Sequence, residues 1–198
     1  MLKVTASLPL PADFDADGYK HDFGFSGGWQ KLSSRYAMRS AIFRSNATAE
    51  LREAGLRLFD PGWLVTEAYI RAMALTRVWL ATTEVGLHVG TRFFEVMISG
   101  RALLLCDRNP TAYEPLGIVE GVHAAMFNTT AEFQRKVLHY ARRANDGERM
   151  RMVRAARELM IERHLWDRRA SEFAGLVRDA LAARARTRRF AMNHSLDA

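Results

Sequence analysis

GLHVGTRFFEVMISGRALLLCD, residues 86–107, is the stretch that decides the fold. Two glycines mark a loop, Gly90-Thr91 begins a helix that carries Glu95, and Ala102 to Cys106 is an unbroken apolar run stopped by Asp107. A short run of that kind, with no polar alternation, reads as a strand buried on both faces. Backbone N–H groups at a helix start make a natural phosphate site, and glycine lets a ligand approach them closely. A carboxylate one turn into the helix can accept hydrogen bonds from sugar hydroxyls. The same residues also suit a structural role, because the helix dipole favours an early acid and Arg92 would then be a solvated neighbour. Local physics leaves both readings open.

Working outward, HDFGFSGG at 21–28 reads as a strand followed by a tight loop. Ser33 and Ser34 can cap a helix running to about Ala54, where Gly55 stops it. LRLF at 56–59 is a short buried strand closed by Asp60-Pro61-Gly62, and residues 66–76 are helical, with Ala68, Tyr69, Ala72 and Met73 on one face. Val78 to Ala81 is a further strand; Ile118-Val119 and Ala124 to Phe127 are weaker ones. The last third changes to helical stripes: Phe133, Val137, Tyr140, Ala141; then Val153, Ala156, Leu159, Met160; then Trp166, Ala170, Phe173, Ala174, Val177, Leu181, the spacing of a long packed helix. Short apolar strands alternating with helices indicate an α/β domain with a parallel sheet covered on both faces and a C-terminal helical segment. The expected organisation is an irregular lead-in at 1–20, one Rossmann-like domain at 21–185, and a basic tail at 186–198.

At 198 residues with 48% hydrophobic and 26% charged, the chain is expected to form one globular domain. It has no apolar run of membrane-spanning length, and MLKVTASLPLP lacks the features of a secretory signal, so a cytoplasmic protein is expected. The lone Cys106 excludes an internal disulfide and a cysteine zinc cluster, and as the end of a buried strand it reads as a core residue. The formal charge is +7 and only four of the 29 basic residues are lysine. Residues 178–189 hold five arginines against one aspartate. No aromatics interleave with them, which favours a solvated helix end over a nucleic-acid surface. His21, His88, His123, His139, His164 and His194 show no paired metal-ligand spacing. The absence of G-x-G-x-x-G after a strand disfavours a nicotinamide dehydrogenase, and the absence of G-x-S-x-G disfavours an α/β-hydrolase.

Four landmarks in order resemble the C-terminal, nucleotide-sugar-binding half of GT-B glycosyltransferases of the group 1 type, particularly those related to spore-maturation proteins. HDFGFSGG resembles the first strand and loop of that half. EAYIRAMALTRVWLAT, residues 67–82, resembles the helix and strand before the donor motif. GTRFFEVMISGRALLLCD resembles the signature of an Arg and an aromatic–Glu pair ahead of a strand ending in Asp. RHLWDRRASEF, residues 163–173, resembles the closing motif.

The resemblance implies a nucleoside-diphosphate sugar as donor and no cofactor or metal, with transfer that retains configuration. Glu95 would hold the ribose, and Gly90, Thr91 and Arg92 would face the diphosphate and sugar. Gly27 and Gly28 would form the phosphate-side loop. Arg35 and Arg39, four apart on one helix face, would supply positive charge there or stand at the surface. His88 would fall in the donor-facing loop, able to hydrogen-bond a sugar hydroxyl. Asp107 reads as capping the turn after its strand. No catalytic side chain is assigned, because the position eight residues before Glu95, a glutamate in many such enzymes, is Leu87. The chain begins almost at the family's second half, so the resemblance implies a separate acceptor-domain polypeptide or a divergent, truncated relative. The alternative is a non-catalytic Rossmann-like assembly module whose Arg-rich helices bind an acidic partner. Convergence of Glu95 and the Gly90 and Gly27 loops on one place would favour donor binding.

Overall fold

Strand β3 (Thr76–Ala81, TRVWLA) is buried at every position and lies at the centre of the sheet. A computed structural model describes residues 18–27, 37–83 and 88–194. Its sheet has the order β2-β1-β3-β4-β5, where β1 is His21–Gly24, β2 Leu58–Phe59, β4 Leu103–Asp107 and β5 Ala125–Phe127. All four pairings are parallel, with Val78 opposite Leu103 and Leu105 opposite Ala125. The helices are α1 (Ala37–Arg44), α2 (Ala47–Glu53), α3 (Thr66–Ala74), α4 (Thr91–Ser99), the short α5 (Pro110–Tyr113), α6 (Thr130–Ala141), α7 (Asp146–Leu159) and α8 (Trp166–His194). The α/β class and the parallel sheet expected from the sequence are therefore present.

Side chains alternate across each strand and feed two cores. Val78, Leu80, Leu103, Leu105 and Phe127 meet Ile42 of α1, Leu51 of α2 and Phe133 and Val137 of α6. Trp79, Ala81, Leu104, Cys106 and Met126 meet Tyr69 and Met73 of α3 and Phe93, Val96 and Met97 of α4. Neither β3 nor β4 has a solvent face, which is why the runs VWLA and LLLC are continuously apolar.

Several local expectations are corrected. The helix expected to run to Ala54 is two helices, α1 and α2, and its expected start at Ser33-Ser34 lies outside the described residues. Asn46, at φ 60°, makes the break, and the Ser45 hydroxyl turns back to the Ile42 carbonyl (2.9 Å). Asparagine tolerates this left-handed conformation better than most residues. The 56–59 strand shrinks to two residues. Ile118-Val119 belongs to a turn, in which the Val119 carbonyl accepts from His123 N (2.9 Å), with a single bridge from Glu120 to Ala124. A second unit begins at Glu162 and contains α8. The stripe expected to be packed is exposed there, at Trp166, Phe173, Val177 and Leu181. Periodicity identifies an apolar face but not what covers it.

At the amino ends of the strands a charged cluster ties distant segments together. The guanidinium groups of Arg77, Arg101 and Arg149 each lie 4.6–4.9 Å from the centre of the Tyr19 ring. The Tyr19 hydroxyl donates to the Arg101 carbonyl (3.0 Å) and accepts from Arg149 Nη1 (3.2 Å). Arg77 and Arg149 are only 2% and 1% exposed. Asp146 accepts hydrogen bonds from both, and Asp22 pairs with Arg57 and, at 3.6 Å, with Arg77. Burial opposes the charge on Asp146, but the bonds from Arg77 and Arg149 outweigh it and hold the carboxyl below its ordinary range. Burial likewise opposes charge on Asp22, and Arg57 and Arg77 lower it.

Folding lowers both carboxyl pKa values, so their stabilisation is complete above the unfolded value of about 4 and is lost as pH falls through the folded values. Asp146→Ala should cost about 3 kcal/mol at pH 7, since it strands two buried arginines. Denaturant unfolding across pH 7 to 3 should show the gap between variant and wild type narrowing below about pH 4. A gap independent of pH would show that Asp146 contributes packing rather than charge.

Candidate functional site

The chain leaves β1 for the outer strand β2, returns to β3, and only then proceeds to β4 and β5. The direction of travel reverses between β1 and β3, and their carboxyl ends therefore open a crevice, the place where ligands enter open α/β sheets. Phe25, Ser26 and Gly27 follow β1 at this crevice, and Thr82 and Thr83 follow β3.

Three loops are fastened together here. The Gly62 carbonyl, after β2, accepts from Gly27 N (2.8 Å) and from the Ser26 hydroxyl (3.0 Å). Arg92, in the first turn of α4, donates from Nη1 to the Ser26 carbonyl, and its guanidinium lies 5.4 Å from the centre of the Trp63 ring. Gly27 has φ 140°, and a Cβ placed there would stand 2.7 Å from Arg92 Nη1. Glycine thus serves both the backbone conformation and the close approach of the cation. Among the described residues Arg92 makes no ion pair; a carbonyl and an indole face hold it.

Arg39, buried on α1, crosses the crevice floor. Its guanidinium lies 4.9 Å from the Phe25 ring centre and donates to the Thr82 hydroxyl (3.1 Å). Asp107, at the end of β4, accepts from Thr83 N (2.7 Å) and from the Thr83 hydroxyl, while its own carbonyl accepts from Tyr113 (2.8 Å). Its carboxylate is thereby committed to fixing the loop after β3, a neighbouring strand, rather than the turn after its own strand as read from the sequence. Cys106 is fully buried, and burial pushes its thiol well above the usual range, which excludes a thiolate nucleophile.

Gly90 is the N-cap of α4 with an extended backbone and open space where a side chain would be. Having no side chain, it cannot cap the helix itself, and its carbonyl accepts from Phe93 N (3.2 Å). Thr91 and His88 are exposed there, and Glu95 is half-buried one turn further along. Glu95 lies close enough to Tyr69 of α3 that, after burial itself, its negative charge is the main influence raising the phenol's pKa. The structure thus brings Gly27 and Arg92 into contact, sets Arg39 against the same loop, and places Gly90, Thr91 and Glu95 on the helix that carries Arg92. Gly28 and Arg35 lie outside the described residues. Sequence reasoning missed Ser26, Trp63, Tyr69, Thr82 and Thr83. The available signal was polar or aromatic residues directly after strand ends, at HDFGFS, FDPGW and VWLATT.

The comparisons with known proteins bear on this geometry. A family model described as glycosyl transferase-like matches residues 29–175. The chain belongs to that family. Among curated proteins none matches by sequence. Solved structures with the same fold include Anabaena Alr3699/HepE in complex with UDP-glucose, at 12% identity and a TM-score of 0.51, covering 73% of this chain and 45% of that one. TarM matches at 14% identity and a TM-score of 0.54 over 82% of this chain and 36% of its own. The pneumococcal O-GlcNAc transferase GtfA, in complex with UDP and GlcNAc, matches at 12% and 0.52 over 84% and 37%. The chain spans less than half the length of these structures. Its Rossmann-like domain corresponds to one half of a GT-B fold.

Gly27→Ala should separate Arg92 from the Ser26 carbonyl and cost about 1–3 kcal/mol through the disfavoured φ. Thermal unfolding should show that modest loss, and the crystal structure of the variant should show Arg92 displaced. An unmoved Arg92 would contradict the role given to Gly27.

Proposed function

We propose that this domain binds a nucleoside-diphosphate sugar across the carboxyl ends of β1 and β3 and takes part in transferring the sugar with retention of configuration. The observation that carries this reading is Arg92, a half-buried cation at the switch point with no carboxylate partner among the described residues, lodged beside a glycine loop and an uncapped helix start. Membership of the glycosyl transferase-like family supports it, as does the binding of UDP or UDP-glucose by proteins of the same fold.

In this reading the Gly27-Gly28 loop, the α4 amides at Gly90 and Thr91, and Arg92 receive the diphosphate, with Arg39 adding positive charge and Arg35 proposed as a further source of it. Glu95 accepts hydrogen bonds from the ribose hydroxyls, and His88 meets the sugar. As the bond from the sugar C1 to the diphosphate oxygen breaks, negative charge grows on the departing phosphate. Donors already aimed at that position stabilise it, the electrostatic contribution that usually dominates such chemistry. This chain needs no metal or cofactor in that scheme. The acceptor pocket is assigned to a second, acceptor-binding half that residues 21–185 do not supply, and the reaction to the cytoplasm. A second reading, a non-catalytic assembly module, draws on α8, where Trp166, Phe173, Leu176 and Leu181 stand exposed among arginines.

Glu95→Gln separates the two. The amide keeps the size of the side chain and loses the charged acceptor, and a hydrogen bond to a charged group contributes roughly 1.5–3 kcal/mol. Titration of uridine and guanosine diphosphates should show affinity reduced about ten- to a hundredfold with the melting temperature unchanged. Equal affinities would remove Glu95 from the site. Failure of the folded wild type to bind any nucleotide would favour the assembly module.

A further inference from the structure

Trp63 is the large aromatic that the crevice leaves open. It is 72% exposed, yet it sits on a fastened loop: Gly62 immediately before it holds the β1 loop through two hydrogen bonds, and Arg92 lies against one face of the indole. Isolated surface apolar residues need no explanation, but a fixed indole with a guanidinium behind it is a preformed platform. Val65, two residues on, is also exposed.

The placement follows from two helices side by side. Trp63 and Tyr69 bracket the start of α3, while Arg92 and Glu95 occupy the first turns of α4. Trp63 meets Arg92, and Tyr69 is within the electrostatic reach of Glu95. A nucleotide with its phosphates at Gly27 and its ribose at Glu95 would carry its base toward the loop between β2 and α3. We propose that the open face of Trp63 stacks on the nucleobase of the donor, so that Trp63 fixes the base while Arg92, shared between the indole and the Ser26 carbonyl, joins the base subsite to the phosphate subsite. This inference rests on the donor-binding reading above. Stacking tolerates any base, because every base has a π face; selectivity between uracil and guanine must then come from other groups.

Titration of uridine and guanosine diphosphates into wild type, Trp63→Ala and Trp63→Phe tests the assignment. Removing the ring should weaken both nucleotides about tenfold, and phenylalanine should restore most of that loss. Nucleotide binding should also quench the part of the tryptophan emission that Trp63→Phe removes, since Trp29, Trp79 and Trp166 remain in both proteins. Unchanged affinity in Trp63→Ala, or unquenched Trp63 emission at saturation, would overturn the stacking role. Sensitivity to Glu95→Gln with indifference to Trp63 would sink this proposal and leave the donor reading intact. No nucleotide binding by folded wild type would take down both.

Discussion

The structure depends on one constraint: β3 has no face that can meet water. Its six residues are all buried, so helices must cover the sheet on both sides. A right-handed crossover from a parallel strand reaches opposite faces only when the chain moves in opposite directions along the sheet. The path from β1 outward to β2 and the later path from β3 to β4 satisfy that requirement, with α1 and α2 in one core and α4 in the other. The crevice between β1 and β3 follows from this reversal. A requirement of burial thus creates the crevice.

Arginine serves the two ends of the sheet in opposite ways. At the amino ends Arg77 and Arg149 share Asp146, and Arg77 also lies 3.6 Å from Asp22, around the Tyr19 ring. At the carboxyl ends Arg92 is held by neutral groups, a carbonyl and an indole. The first arrangement costs desolvation and returns it through pairing, and it joins Tyr19, β3, the start of β4 and α7. The second keeps a cation poised at low cost in reorganisation, which suits a diphosphate. The same residue type is structural in one place and available in the other, and its partners decide which.

Much of this was legible in the sequence where the signal was local. The runs VWLA and ALLLC gave the central strands, Gly55 ended a helix, and the loop and helix at 86–99 drew attention to the segment that carries Arg92. The failures share a cause. Asn46 splits a helix through its own backbone conformation, and the stripe on α8 has the right period but stands exposed. Ile118-Val119 has strand-like residues between two glycines of positive φ, Gly117 and Gly121, which turn the chain instead. Contacts across the fold were the hardest to foresee: nothing near Trp63 in sequence announces Arg92, and nothing near Asp107 announces Thr83. The resemblance to GT-B enzymes supplied the order of the landmarks, while geometry supplied which side chains meet.

The most direct measurement is a crystal structure of this domain with uridine diphosphate. The account predicts the diphosphate against Gly27 and the first turn of α4, within hydrogen-bond distance of Arg92, with Glu95 on the ribose hydroxyls. A nucleotide bound instead along the arginines of α7 or α8, with the crevice between β1 and β3 unoccupied, would contradict it.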